Sequence, residues 1–417
     1  IKSVILPETV TTVEDHAFYE CYSLESINLL DSITVIGESA FSYCRKLGNV
    51  NIPKNLTAIN IHTFSSCTSM TSVTIPDSVT VIDSYAFYNC GSLKDLTIGN
   101  SVATIGQYAF SGSESLVKVI IPDSVTSIGK HAFAFCDSLT SVTLGKKVST
   151  IETYAFYECF SLIEVYKKTS LTIKTGSTDY GYIGYYAKRI IVDESETALK
   201  TVGDYVFYDD GTDAYLVKYF GNEKDLTLPE YEGGKKYTIW KFAFFKTNIT
   251  SVNIPDSVSN IERYAFSECK ALENVTIGNS VESIGYYAFQ KCTGLTDVTF
   301  GNSVKTINNY AFDGCSLLKK IILPDSLTSI GNYAFQNCTS MTIAQLGKNL
   351  TSIGEYAFAD CIILREVVIP ISVTTIGRNA FNDCSAITIY CEAESKPSGW
   401  EYSWNDYKKV EWGYVSD

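Results

Sequence analysis

The sequence predicts a mainly β solenoid, with a parallel sheet on one side and short helical or turn segments on the other face. Three observations predict it. An Ala-Phe dipeptide recurs with a constant period of 23. A segment of the form LxxVxI follows each copy at a fixed distance, and proline or glycine then closes that segment. A strict period of this length means one coil of chain per repeat. Stacked coils also explain how 417 residues, too many for one ordinary globular core, share a continuous interior.

The dipeptide sets the frame. Its Phe falls at Phe18, Phe41, Phe64, Phe87, Phe110, Phe133 and Phe156, one full period apart each time. A second series runs from Phe266 to Phe381 with the same spacing, and Phe244 leads it by 22. Ile or Val stands five before each Phe, and another aliphatic stands eight before. Leu follows six after, with Met70 and Met341 as its substitutes. The aliphatics nine and eleven after the Phe, such as Val142 and Leu144, make LxxVxI a short strand with alternating inward and outward positions. Stacking would pair these strands in parallel at about 4.8 Å per coil.

Pro53, Pro76, Pro122 and Pro255 stand directly after the strand, and Gly99, Gly145 and Gly278 fill the same slot elsewhere. Both residues punctuate strands. A second turn follows the "SI" pair, where Gly37, Gly106, Gly129 and Gly285 recur. Asn60, Asp83 and Asn308 replace them, which predicts a positive φ there, although Glu14, Glu152 and Glu262 fit that reading less well.

The chemically suggestive residues are periodic too. His16, His62 and His131 each lie two before the Phe, in a column otherwise held mainly by Tyr. At about 4.8 Å per coil, histidines two or three coils apart do not share a metal, and substitution for Tyr assigns them a structural place. Twelve of the thirteen cysteines lie three after the Phe, and only Cys391 stands outside the column. The spacing falls within disulfide range, but side chains stacked in register suit the bond torsion poorly. Reduced, buried thiols packing as small hydrophobes are expected. Zinc needs ligands converging from several directions, which a column does not supply.

The phrase LTSVTIPDSVTSIGxYAFxxC resembles the BspA-like class of bacterial leucine-rich repeats. Leu139–Ile151, Ser326–Cys338 and Asn349–Cys361 carry it, and the match extends over nearly all of 1–166 and 239–391. The resemblance implies a right-handed leucine-rich-repeat superhelix, secretion or surface display in bacteria or certain protists, and adhesion to host proteins or other cells. It implies no catalytic residues.

The expected organisation is a first repeat block at 1–166, degenerate repeats with a protruding hairpin at 167–238, a second block at 239–391 and a Trp-rich cap at 392–417. Within the interruption, "YIGYYAK" (Tyr182–Lys188) mimics a coil with Lys188 in the Phe slot, and "TVGDYVF" (Thr201–Phe207) reads as another worn copy. Val206–Tyr219 reads as a hairpin turning at Asp210-Gly211. Asp209, Asp210 and Asp213 lack the distal Glu of a calcium loop and read as a solvated turn. Ile1, Val4 and Leu6 already occupy regular slots, so a signal segment and a cap are expected to precede Ile1, outside this chain. Trp400, Trp404 and Trp412 suggest a cap on the last coil, with a sugar-stacking site as the alternative.

The net charge of −13 and the lack of a Lys/Arg cluster exclude a basic face for nucleic acid. No apolar run reaches the roughly 18 residues of a membrane span. The outward strand column (Asn28, Asn51, Thr74, Thr97, Thr143, Asn253, Thr276, Thr299) is mild, with Ile120, Ile322 and Val368 interspersed. Aromatics dominate binding hot spots, which makes Tyr264, Tyr287, Tyr310, Tyr333 and Tyr356 the candidate binding surface. Packing on the next coil with a wet hydroxyl explains them equally. The expected function is a non-catalytic, monomeric extracellular scaffold for a protein, without cofactor or metal. A glycan module using the Tyr column or the tail tryptophans is the alternative. An enzyme would need a non-repeating constellation, and neither the interruption nor the tail offers one.

Overall fold

The computed structural model describes residues 1–192 and 197–415. The chain divides into two compact units, Ile1–Thr197 and Ala198–Asp417. Each is a β-solenoid.

In the first unit the regular coils contribute two strands each, not one, except the coil that includes residues 49–52, which contributes only Ala58–Ile59. The longer strands pair in parallel, as in Lys118–Ile120 with Ser141–Leu144 and then Glu164–Lys167. The "SI" pair is itself a strand: Thr104–Ile105, Ser127–Ile128 and Thr150–Ile151 pair in parallel. In both ladders a residue pairs with its equivalent one repeat on, such as Val119 with Val142 and Ile105 with Ile128. The inward aliphatics are buried, and Val119, Val142, Ile128, Phe110, Phe133 and Leu139 are fully so.

The Ala-Phe segment joins coils by a different route. In one coil Thr63 N–H donates to Asn60 O at 3.2 Å, and Cys67 N–H donates to Phe64 O at 3.3 Å. The third residues of these turns, His62 and Ser66, have φ of 55° and 59°. That is the signature of type II turns. Between and within them, His62, Phe64 and Ser66 donate N–H to Ser84, Ala86 and Tyr88 carbonyls of the next coil at 3.1, 2.8 and 2.6 Å. Ala precedes Phe because it is fully buried there, as at Ala86, Ala109 and Ala132.

The positive φ expected at the glycine after "SI" is therefore found elsewhere, at the Tyr/His position and four positions beyond it. The glycines answer to crowding instead. A Cβ on Gly129 would lie 2.7 Å from the Gly106 carbonyl carbon and 2.8 Å from Gln107 N. The slot after the strand has its own logic: Asp77 and Asp123 accept N–H bonds from Asn100 and Lys146 one coil on, at 2.7 and 3.0 Å.

The irregular end of this unit differs from expectation. Lys188 does not take the Phe slot. It leads into a strand, Arg189–Ile191, whose Arg189 pairs with Glu164. Tyr182 is the residue that continues the aromatic column, stacked on Tyr154 at 5.4 Å.

The second unit begins with an antiparallel meander, Leu199–Val202, Tyr205–Asp209 and Ala214–Tyr219. Thr201–Phe207 is thus a hairpin rather than a worn coil, turning through Gly203 at φ +57°. The Tyr205–Tyr219 hairpin does not protrude. Its second strand pairs in parallel with Tyr237–Ile239, and Phe207, Leu216 and Val217 are fully buried. From there a short-strand ladder continues to Thr375–Ile376 in one ten-stranded sheet. The longer ladder restarts at Asp225–Thr227, beside Ser251–Ile254. Among the described residues the one helical element is a 3-10 turn at Glu232–Gly234.

The tail is a last, altered coil. Trp404 stands one repeat period after Phe381 and meets its ring edge-on at 6.2 Å. Trp400 bridges Ile376 and donates its indole N–H to Val373 O at 3.1 Å. Lys409–Trp412 pairs in parallel with Thr388–Cys391. With Trp400 and Trp404 each 2% exposed, these two rings cover the core and offer no face for a sugar.

Crowding at the coil contact predicts that Gly129→Ala lowers stability by about 1–3 kcal/mol, read as a lower urea midpoint. Gly176→Ala leaves the neighbouring contacts intact, because no atom lies within 4 Å of its added Cβ, though its φ of +75° carries its own strain.

Candidate interaction surface

The column two before the Phe is a continuous ring stack. In the second unit Phe242, Tyr264, Tyr287, Tyr310, Tyr333 and Tyr356 follow one another at centroid distances of 4.9, 4.7, 4.8, 4.6 and 5.0 Å. Interplanar angles fall from 17° to as little as 3°. All five Tyr are half-buried and all have positive φ. Each inner ring therefore spends both faces on its neighbours and presents an edge and a hydroxyl. Arg263 lies over Tyr264 and Tyr287 at 4.8 and 5.4 Å, and Asn379 donates to the Tyr356 hydroxyl at 2.8 Å. The structure thus brings together the five residues singled out by sequence.

The repeat itself decides the family. The model for the BspA type leucine rich repeat region matches residues 1–117, 103–212, 237–327 and 263–388. This chain belongs to the BspA-type leucine-rich repeat family. No curated protein matches it. Among solved structures, it is similar to a leucine-rich repeat protein from Bacteroides ovatus, at 24% identity over 99% of this chain and 92% of that one, with a TM-score of 0.44. A leucine rich cell surface protein from Faecalibacterium prausnitzii is 26% identical over 100% and 92%, with a TM-score of 0.39. The pneumococcal vaccine antigen PcpA is 19% identical over 88% and 89%, with a TM-score of 0.45.

In these BspA-type coils two of the three histidines are members of the stack, while His16 meets Tyr19 edge-on at 5.5 Å. His131 lies between Tyr108 and Tyr154, at 4.6 and 5.1 Å. His62 stacks on Tyr85 at 4.6 Å. Burial pulls both imidazoles below their ordinary pKa, aided at His131 by the Lys130 charge. The nearby Cys136 is in the core, where its thiol donates to Phe110 O of the preceding coil at 3.5 Å. Imidazole and thiol are not brought into a pair.

The same thiol bond recurs down the column, as from Cys67 to Phe41 O at 3.3 Å and from Cys292 to Phe266 O at 3.1 Å. All thirteen cysteines are free, and all but Cys21 are buried. Burial pushes Cys44 and Cys90 up to about 12, far from a nucleophilic thiolate.

The outward strand column is exposed at Asn51, Thr74, Thr97, Asn253, Thr276 and Thr299, and Ile120 and Ile322 are 50% and 52% exposed there. Thr143 departs from it, being 1% exposed. On this face Asp31, Asn49, Asn51, Lys54, Ser72 and Thr74 line a trough of about 580 Å³. The turn is solvated at Asp210–Asp213, as expected, but Asp209 is buried at its base. Burial alone would raise its carboxyl, but hydrogen bonds from Lys235, Gly211 N–H and Tyr231 bring it down to about 2. Lys235 Nζ sits 2.6 Å from it and Lys200 Nζ 3.5 Å, so it closes an ion cluster at the start of the second unit.

A further surface escaped the sequence reading. Phe135, Tyr154 and Tyr185 are 40%, 40% and 47% exposed. Tyr157 touches Phe135 at 5.9 Å, Tyr154 at 5.4 Å and Tyr182 at 5.5 Å, in each case edge to face. Tyr182 touches Tyr185 at 5.4 Å. The available signal was that Tyr157 and Phe135 stand one and two positions after the Phe, where other coils carry Ser65, Ser66, Gln290 or Asn337.

Two measurements check these assignments. A native thiol titration should modify Cys21 alone on the time scale at which denatured chain yields thirteen thiols. For the histidines, a folded pKa below the unfolded value gives stability that is full above about pH 6.5 and lost as the pH falls through the folded value. His131→Tyr should therefore stabilise the chain more at pH 5.5 than at pH 7.5, as seen in paired thermal melts.

Proposed function

We propose that this chain is a non-catalytic scaffold, displayed at the cell surface or secreted, that binds a protein partner in adhesion. The observation that carries this reading is the unbroken stack of Tyr264, Tyr287, Tyr310, Tyr333 and Tyr356, five coils long and half-exposed. Five hydroxyl-tipped edges in a line give an extended surface whose order is set by the backbone, and aromatics of this kind serve as contact anchors. Membership in the BspA-type repeat family supports protein binding. Deep burial of the thiols suits an oxidising milieu, since it withholds them from exchange. No helix among the described residues is long and apolar enough to cross a membrane.

Glycan binding by the same column is the weaker reading. A sugar stacks on a ring face, and the inner rings have both faces covered. The substitution to use is Asn, which Asn379 shows to be compatible with the slot at φ 55°. Replacing Tyr264, Tyr287, Tyr310 and Tyr333 together by Asn should reduce capture of proteins from an extracellular-matrix extract by at least about tenfold. Retention on a glycan array should be unchanged. Equal protein capture by both forms would refute the assignment of this surface.

A further inference from the structure

Every coil solves the same folding problem, so an exposed residue that departs from its column is not demanded by the fold. Phe135 is the sharpest departure. It has φ 59° and is 40% exposed. A bulky side chain at positive φ is strained, and an exposed ring gains little from burial. Most other coils fill this position with residues that tolerate the conformation or the water, such as Asn89, Gly112, Gly314, Asn337 and Asp360, and Tyr43, 37% exposed at φ 62°, is the one other aromatic there. Phe135 is retained against both preferences, and it is the first ring of the aromatic patch completed by Tyr154, Tyr157, Tyr182 and Tyr185.

Cations do lie over rings elsewhere in the molecule. Arg45 lies over Tyr22 at 5.3 Å, Lys246 over Phe245 at 4.7 Å, Arg263 over Tyr264 at 4.8 Å and Arg378 over Tyr356 at 6.0 Å. Among the described residues no guanidinium or ammonium lies over Phe135, Tyr154, Tyr157, Tyr182 or Tyr185. Carboxylates stand beside the patch. Glu158 follows Tyr157 directly, and Asp179 stands in the turn leading into Tyr182, whose N–H donates to Thr178 O. Electron-rich ring faces next to carboxylates attract cations, and a chain of net charge −13 reinforces that attraction.

We propose that the Phe135–Tyr154–Tyr157–Tyr182–Tyr185 patch is the docking site for an arginine- or lysine-bearing segment of a partner protein. Its basic side chains lie over Phe135 and Tyr185, the two exposed rings of the patch that are not stacked on a neighbour, as Lys246 lies over Phe245, and Glu158 pairs with one of them. This rests on the scaffold reading above and gives it a second surface, with a stated partner chemistry.

The test uses the full chain and fluorescence anisotropy in about 150 mM salt. The probes are a fluorescein-labelled Gly-Ser-Arg repeat peptide and its citrulline counterpart, which keeps the shape and lacks the charge. Wild-type chain should bind the arginine peptide and discriminate against citrulline by at least about tenfold. Phe135→Asn places a residue already found in this column, so it should melt no lower than wild type while binding the arginine peptide about tenfold more weakly. Tyr185→Ser should weaken binding similarly and Glu158→Gln severalfold, whereas Tyr402→Ser, at an exposed ring outside both surfaces, should leave it unchanged. Equal binding by wild type and Phe135→Asn overturns the proposal, as does equal binding of the citrulline peptide. Loss of glycan-array retention in Phe135→Asn, with no arginine-peptide binding, also overturns it in favour of a sugar. A Phe135→Asn chain that captures matrix proteins undiminished keeps the scaffold reading and removes this site.

Discussion

The structure depends on one contact made over and over: the hydrogen bonds that the Ala-Phe turn sends to the next coil. Two positive-φ residues four positions apart aim alternate N–H groups along the stacking direction, as His62, Phe64 and Ser66 do. That geometry fixes the register of each coil on its neighbour. Once the register is fixed, like residues must meet like residues, and columns follow. Phe rings stack at 5.2–5.4 Å from Phe18 to Phe156. Thiols reach the Phe carbonyl of the coil before, and phenols lie face to face. The buried Phe and Cys columns need no functional cause.

This separates two kinds of information in the surface. A feature present in every coil is explained by stacking, whatever its chemistry suggests. The three histidines and the cysteine column belong here. Departures at exposed slots are different, since the fold is satisfied without them. Phe135 at a position otherwise held, apart from Tyr43, by polar residues and Gly is such a departure, and so are Ile120 and Ile322 among the outward Thr and Asn residues.

Much of the coil was legible in the sequence because burial repeats with the period. Aliphatic, Phe, Leu and Cys slots could be assigned without coordinates. The errors came where another constraint ruled. The glycines after "SI" signalled backbone freedom, but they serve close approach, and the left-handed positions carry Tyr, which no propensity rule flags. "YIGYYAK" looked like a coil by local similarity. The intervening chain is longer than a regular repeat, so that Arg189 is the residue that meets Glu164, and Lys188 arrives at a strand. Thr201–Phe207 matched a worn repeat, yet Gly203 turns it back on itself. Trp404 lay in plain sight one period after Phe381, hidden only by the change from Phe to Trp.

The uniform register has a consequence for how such chains change. Because Ile105, Ile128 and Ile151 present interchangeable edges, excising or duplicating one complete coil rejoins surfaces that already match. Length then becomes a variable set by the number of coils, in steps of about 4.8 Å.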